Sequence, residues 1–230
     1  MRKMIVDSVK IDEGIIKPKF DQAEYTYQKK IAMKKEIKKK YFTSKRIFDV
    51  IMSLLLLYFT LPIILLFSIL IVIDTFGSPL YKQVRVGKMG KLITIYKLRS
   101  MHINAEIDGA KWASENDPRI TKIGRFIRKT RIDELPQLVN VLKGEMSFIG
   151  PRPERPEFVE LFSTSINNFE ERCLVTPGLT GLAQVQGGYD LTPQEKLEYD
   201  LWYIKKGSII MEISIILKTI IVIFTGSGSR

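Results

Sequence analysis

Two adjacent carboxylates mark the stretch of the sequence with the most evident chemistry. The string "RIDELPQLVN" places Asp133 and Glu134 directly after the basic string "RITKIGRFIRKT", in a chain of formal net charge +11. Pro136 favours the first turn of a helix, where the helix dipole favours ionised acids. Such a pair can cap the helix, bind Mg²⁺ together with phosphate oxygens, or supply a carboxylate nucleophile.

A stiff loop downstream carries a candidate phosphate ligand. Arg152 lies between Pro151 and Pro153, and the two prolines restrict the backbone around it. An arginine held in a defined place suits bidentate phosphate recognition. The spacing alone is equally compatible with a structural salt bridge.

Composition excludes several classes of protein. At 230 residues, we expect one domain with appendages. With one cysteine, Cys173, and one histidine, His102, the chain has little to offer a zinc site or a Ser-His-Asp triad. An intrachain disulfide is impossible, which fits a reducing compartment.

An uncharged apolar run of 24 residues, Val50 to Ile73, is long enough to cross a bilayer core as a helix. Pro62 lies near its middle, where a proline favours a kink or a break. Basic residues flank the run on both sides, so the positive-inside rule places both ends on the cytoplasmic side. We therefore predict a re-entrant helix that turns at Pro62, in preference to a kinked single span.

The patterns beyond this run predict an α+β fold that is mostly helical, with a small β-hairpin. Residues 80–99 indicate two strands around a turn at Gly87 to Gly90. Ile120, Ile123 and Ile127 form one apolar stripe with basic neighbours, which predicts a basic amphipathic helix.

Two further helices are predicted near the end of the sequence. The string "TPQEKLEYDLWYIKK" begins with Thr192, Pro193 and Glu195, the pattern of a capping box. Residues 208–224 are apolar but include two charges, which favours an interfacial or packed helix over a second membrane span.

The first part of the chain is strongly basic. Residues 1–46 hold 14 Lys and Arg against 6 acids. Beside an apolar run, this excess indicates attraction to anionic lipid head groups. A nucleic-acid-binding arm and a solvated tail are the alternatives, and the adjacent apolar run argues against nucleic acid.

Five strings occur in one order along the chain: "SKRIFDV", "YKQVRVG", "IYKLRSM", "DPRITKIGRFIRKTRIDELPQLVNVLKGEMSFIGPRP" and "TPGLTGLAQV". Together they resemble the bacterial sugar transferase family, the monotopic polyprenyl-phosphate hexose-1-phosphate transferases. The resemblance covers roughly residues 44–225. It implies a membrane re-entrant helix at 45–75 and a cytosolic catalytic domain with interfacial amphipathic helices at 76–225, and the basic extension at 1–44 lies outside the family pattern.

The resemblance also implies a reaction and a place. A phosphoglycosyl transferase on the cytosolic face of the bacterial cytoplasmic membrane would move sugar 1-phosphate from a UDP-sugar to polyprenyl (undecaprenyl) phosphate. UMP would be released, and a surface polysaccharide such as an exopolysaccharide or capsule would be started. Anionic membrane lipids are expected partners, nucleic acid is not, and homo-oligomerisation is left open.

The resemblance assigns roles to residues. Asp133 matches the family's nucleophile, which forms a covalent sugar-phosphate intermediate, and it is also the candidate ligand for the Mg²⁺ that the family requires. Glu134 would assist it. The candidate phosphate ligands are Arg128 and Arg152, followed by Lys97 and Arg99.

Two strings depart from the family pattern. Many members break the re-entrant helix at a Ser-Pro pair, whereas here Leu61 precedes Pro62 and Thr60 lies one residue earlier. Short members read Asn-Gly-Arg after "AQV", and that arginine helps to hold the nucleotide; here residues 186–189 read "QGGY". We therefore expect the kink to survive and the donor site to differ.

Three alternatives can be weighed against this interpretation. A non-catalytic membrane-surface binding protein of the same fold would have no need of an intact Asp133–Glu134 pair with Arg152. A nucleic-acid-binding protein would have no need of the run at 50–73. A glycosyl transferase would release UDP rather than UMP, and the sequence alone leaves that choice open.

Overall fold

The computed structural model describes residues 39–107 and 117–225, so most of the predicted basic extension at 1–44 lies outside the described residues. Helices dominate the described part, and the predicted mostly helical α+β class is confirmed. The helices are α1 (Lys39–Asp74), α2 (Lys122–Lys129), α3 (Leu138–Lys143), α4 (Pro156–Ser165), α5 (Leu182–Gln186), α6 (Pro193–Lys206) and α7 (Ile209–Thr225). The strands are β1 (Leu80–Val86), β2 (Leu92–Leu98), β3 (Ser147–Ile149) and β4 (Gly178–Thr180).

The predicted hairpin is formed by β1 and β2, which pair antiparallel from Leu80 opposite Leu98 to Val86 opposite Leu92. A short 3₁₀ turn, Lys88–Gly90, joins the strands. A second pair, β3 with β4, is parallel and was not predicted. The two pairs are separate sheets, each of two strands.

The predicted apolar stripe holds α2 against the hairpin. Ile127 is fully buried and packs in one cluster with Leu98 of β2 and Ile71 of α1. A close approach of backbones makes this packing possible, because a Cβ on Gly124 would lie 1.9 Å from the carbonyl oxygen of Ser100. The glycine therefore lets α2 lie directly on the segment that follows β2.

Helix α1 is one helical element with Pro62 inside it, so the re-entrant turn stays a prediction. The Thr60 hydroxyl donates to the Leu56 carbonyl at 2.7 Å, a side-chain bond to the backbone just before the proline. From Lys45 to Asp74 the helix is long and apolar enough to cross a membrane, and only 6% of its most apolar 18-residue stretch is buried by the rest of the protein. This combination indicates membrane association.

Both ends of α1 contact the rest of the protein. Near its start, Lys45 forms a buried ion pair with Glu212 of α7 at 2.5 Å, and Asp49 accepts a hydrogen bond from the Phe148 amide of β3 at 3.1 Å. Near its end, Ile71 is buried in the cluster with α2 and β2. The middle of the helix therefore lies between two attachments to the same domain.

Helices α6 and α7 follow the predicted pattern. Thr192 and Glu195 form the predicted capping box at the start of α6. Helix α7 is packed on one face, where Ile215 is buried, and carries exposed apolar side chains on the other. The exposed large apolar side chains of α7 are Ile209, Ile210, Ile213, Leu217, Ile220, Ile221 and Ile223.

Candidate active site

The acid pair lies in a 3₁₀ turn, Ile132–Gln137, between α2 and α3. The predicted helix start is confirmed, although its first turn is 3₁₀ rather than α. Arg131 adopts a left-handed conformation with φ 59°, which is uncommon for a residue with a side chain. The chain therefore changes direction at Arg131, immediately before Asp133.

A cleft of about 250 Å³ contains the pair. Segments that are far apart in the sequence meet there, including β1, β2, α2, the loop after β3, and α5. The six predicted site residues all line the cleft: Asp133, Glu134, Arg128, Arg152, Lys97 and Arg99.

Positive charge dominates the cleft lining. Among the residues that the structure describes, nine Lys and Arg side chains line it against four carboxylates, an excess of five that favours anionic ligands. Five of these nine basic residues were not predicted from the sequence, because basic residues on strands and helices are common on any solvated face. The missed lining residues are Arg85, Arg131, Arg155, Arg172 and Lys196, with the acids Glu106 and Glu154.

Glu134 is the anionic centre of a cluster of basic side chains. Lys97 donates to its Oε1 at 3.1 Å, and Arg152 reaches both carboxylate oxygens, donating to Oε2 at 3.4 Å. Arg131 Nη1 lies 3.9 Å from Oε1. Burial opposes ionisation, but Arg152 and Lys97 outweigh it and hold the pKa of Glu134 well below its usual range.

Asp133 has the opposite shift. Burial raises the pKa of Asp133 to about 6, with Lys97 opposing the rise and Glu134 adding to it. Near neutral pH the pair therefore combines one firmly ionised carboxylate with one that titrates close to neutrality. Neighbouring carboxylates with divergent pKa values are typical of sites that give each acid a different task.

Arg99 lines the cleft but has structural contacts. Its guanidinium donates to the carbonyls of Thr75 and Phe76, at 2.5 and 3.0 Å, and at 3.4 Å to that of Gly77. These carbonyls follow directly on α1, so Arg99 joins the end of that helix to the hairpin. Lys97, two residues earlier on β2, contacts the acid pair instead.

A second ion pair borders the cleft away from the dyad. Arg155, at the start of α4, donates two hydrogen bonds to Glu106, at 2.8 and 3.0 Å. The Tyr81 hydroxyl donates to the same carboxylate at 2.9 Å. This set ties residues 103–107 to β1 and α4.

The acid pair offers limited ligation for a divalent cation. Within residues 39–107 and 117–225, no group of three or more His, Cys, Asp or Glu side chains has the arrangement of a metal site. Both oxygens of Glu134 already accept bonds from basic side chains, which leaves Asp133 as the carboxylate with capacity for a cation. Since Mg²⁺ is usually held by one or two carboxylates plus substrate phosphates and water, Asp133 fits it as a single protein ligand.

The fold and the site together define a membrane-associated protein with a positively charged cleft built around an acid pair. A family model described as bacterial sugar transferase matches residues 40–226, and the chain belongs to this family. The prediction of a sugar transferase enzyme is therefore confirmed at the level of the family.

Three relatives show the range of the similarity. A Bacillus subtilis (strain 168) protein, provisionally named undecaprenyl-phosphate N-acetylgalactosaminyl 1-phosphate transferase, is 57% identical over 133 residues, which is 58% of this chain. The Aeromonas hydrophila UDP-N-acetylgalactosamine-undecaprenyl-phosphate N-acetylgalactosaminephosphotransferase is 43% identical over 81% of this chain. The Salmonella typhimurium undecaprenyl-phosphate galactose phosphotransferase is 38% identical over 80%.

The relatives differ in length from this chain. The similarity covers 74% of the Bacillus protein, but 45% of the Aeromonas protein and 41% of the Salmonella protein. What these names state about donors and acceptors belongs to those proteins.

Proposed function

We propose that the protein transfers sugar 1-phosphate from a UDP-sugar to polyprenyl phosphate through a covalent intermediate on Asp133, and that UMP is released. One observation carries the proposal. The buried carboxylate of Asp133, which has a raised pKa, lies beside the carboxylate of Glu134, which is paired with basic side chains, and both lie in a cleft with an excess of positive charge. The names of the relatives, which include undecaprenyl-phosphate sugar phosphotransferases, support the same donor and acceptor.

The reaction has two displacements at one phosphorus atom. In the first, a carboxylate oxygen of Asp133 attacks the phosphorus next to the sugar, a carboxylate–phosphorus bond forms, and the bond to the UMP oxygen breaks. In the second, an oxygen of polyprenyl phosphate attacks the same phosphorus. The bond to Asp133 then breaks, the carboxylate is regenerated, and the product is a polyprenyl diphosphate sugar.

The surrounding cations make the attack of one anion on another feasible. Positively charged donors that are already in place stabilise charge on the phosphoryl oxygens without reorganisation during the reaction. Glu134 holds Lys97 and Arg152 next to Asp133, and Arg128 favours the ionised form of Asp133. We assign Glu134 to the arrangement of these cations, and Lys97, Arg128 and Arg152 to the phosphate oxygens.

Asp133 is also the residue that would hold Mg²⁺, together with donor phosphate oxygens. When bound, the cation supplies charge neutralisation at the phosphates that a single carboxylate nucleophile must approach.

We further propose that α1 is re-entrant and that the cleft faces the cytosol. Both ends of α1 contact the same domain, at Asp49 near its start and at Ile71 near its end. A straight span would place these two contacts on opposite sides of a bilayer. The basic flanks of the helix favour the cytoplasmic side for both ends, at the bacterial cytoplasmic membrane.

Labelling of two engineered cysteines tests this topology. Ile47 and Phe76 flank the apolar run and are 63% and 90% exposed, whereas the native Cys173 is buried. With Ile47→Cys and Phe76→Cys, we expect a membrane-impermeant maleimide to label both variants in inverted vesicles and neither in right-side-out spheroplasts. Labelling of one variant from outside would show a single span. The unsubstituted protein is the control for background labelling.

Separate assays of UMP and UDP test the reaction. Purified protein in detergent is incubated with Mg²⁺, undecaprenyl phosphate and a panel of UDP-sugars. The Bacillus and Aeromonas relatives are both named for N-acetylgalactosamine, so UDP-N-acetylgalactosamine is the first donor. The expected result is UMP release in excess of one equivalent of enzyme that depends on the acceptor and is lost on chelation. UDP release would indicate a glycosyl transferase, and neither product with any donor would favour a non-catalytic binding protein.

A further inference from the structure

The loop that carries Arg152 is held along its whole length. Each carbonyl oxygen of the four residues 151–154 accepts a hydrogen bond from a residue outside the loop, and two of the donors are neighbours in β1. The donors, in order of the carbonyls from Pro151 to Glu154, are the Gly178 amide at 2.9 Å, Arg172 Nη2 at 3.2 Å, Arg85 Nη1 at 3.0 Å and the Val86 amide at 2.9 Å.

Close backbone contacts also restrict the movement of the loop where it begins. A Cβ on Gly178 would lie 2.1 Å from the Gly150 amide nitrogen, and a Cβ on Gly150 would lie 2.5 Å from the Thr176 carbonyl oxygen. The start of the loop therefore lies directly on the backbone around β4. The backbone at Arg152 can therefore move little without breaking one of the four hydrogen bonds.

The donor to the Arg152 carbonyl is itself fixed by a buried ion pair. Arg172 is 3% exposed, and its Nε and Nη2 lie 3.0 and 2.7 Å from Oδ2 of Asp200, which is 1% exposed. Its guanidinium also lies over the ring of Phe169, at 5.0 Å. A buried ion pair is costly to form and is weak evidence for stability. The contact of this pair with the Arg152 carbonyl therefore suggests a role beyond stability.

We infer that Arg172, held by Asp200, is a positioning residue that aims Arg152 at the acid pair. This inference rests on the proposed function, in which Arg152 contacts a phosphate oxygen. The path is continuous: Asp200 fixes Arg172, Arg172 fixes the carbonyl of Arg152, and the Arg152 side chain reaches Glu134 beside Asp133. A displacement of the guanidinium by about 1 Å can cost roughly 10²-fold in rate.

The substitution Arg172→Lys tests the inference. A lysine keeps the charge opposite Asp200, but its single ammonium group cannot reproduce the planar fork that spans Asp200 and the Arg152 carbonyl. We expect kcat for UMP release to fall by about 10- to 100-fold. Glu212→Gln, which breaks the buried ion pair of Lys45 outside the cleft lining, is the matched control and should leave kcat unchanged.

A double-mutant cycle separates positioning from general structural damage. If Arg172 acts through Arg152, Arg172→Lys should lower kcat by less than about 2-fold in an Arg152→Gln background. An equal loss of rate in both backgrounds would overturn the inference, since it would show that Arg172 acts independently of Arg152.

Hydrogen exchange supplies a readout that does not depend on activity. The Val86 and Gly178 amides donate to the loop, and their exchange should accelerate in Arg172→Lys but not in Glu212→Gln. Unchanged exchange at both amides would overturn the inference. If exchange is faster in Arg172→Lys but the wild-type protein releases no UMP, the positioning of Arg152 by Arg172 is supported and the proposed function is contradicted.

Discussion

Asp133→Asn should abolish transfer and at the same time make the protein more stable. Loss of a nucleophile typically lowers kcat by at least about 10⁴-fold. Because burial raises the pKa of Asp133 to about 6, the folded state is destabilised by the charged carboxylate at neutral pH. Removing that charge should raise the free energy of unfolding by about 2–3 kcal/mol.

The pH dependence of this gain has a definite sign. The carboxyl is protonated in both the folded and unfolded states well below pH 4, so the variant should have no advantage there. The advantage should grow between the unfolded pKa of about 4 and the folded pKa of about 6, and should stay level above it. Thermal unfolding of both proteins in detergent without Mg²⁺, from pH 4 to 8, measures it.

Intact-mass spectrometry tests the covalent role of Asp133. Wild-type protein given a UDP-sugar without acceptor should gain the mass of one sugar phosphate, and Asp133→Asn should not. Glu157→Gln, at a carboxylate on the exposed surface of α4, is the control for a general effect of removing an acid. An active Asp133→Asn enzyme, or an adduct on that variant, would refute the nucleophile assignment.

Glu134→Gln should also remove most activity, but with the opposite effect on stability. The variant loses the negative charge that holds Lys97 and Arg152 beside Asp133. Misplacing preorganised cations typically costs about 10²- to 10³-fold in kcat. Breaking a buried ion-pair cluster from one side should lower the free energy of unfolding by about 3 kcal/mol.

The signs of two titrations distinguish this mechanism from a simple loss of fold. The depressed pKa of Glu134 contributes stability that is present above its unfolded pKa and lost as the pH falls through the folded pKa. The stability deficit of Glu134→Gln should therefore shrink towards low pH. Because Glu134 raises the pKa of Asp133, the acid limb of the residual activity should move to lower pH. Wild-type activity in a folded variant would contradict the assigned role.

The sequence predicted those elements that depend on local patterns. The hairpin at 80–99, the α2 stripe with Ile127 and the capping box at Thr192 follow from side-chain periodicity and from local hydrogen bonding, and all three are present. The parallel pair β3–β4 was missed because each strand has three residues, too few to show an alternation.

The centre of the site was predictable, but the partnerships around it were not. Glu134 meets Lys97 and Arg152 across 37 and 18 residues of sequence, and only the packing of β2 against the 3₁₀ turn decides those contacts. The same applies to Arg172 and Asp200, which are 28 residues apart. Arg99 was predicted as a phosphate ligand and lines the cleft, but its contacts with the carbonyls that follow α1 could not be foreseen from the sequence.

That link between Arg99 and the end of α1 has a consequence for kinetics. It joins the apolar helix to the strand that carries Lys97, so on the proposed topology the reaction centre has a set depth relative to the lipid head groups. The acceptor then arrives by lateral diffusion within the bilayer. The rate should follow the mole fraction of polyprenyl phosphate in the surface rather than its amount per volume, and added inert lipid should slow the enzyme by surface dilution.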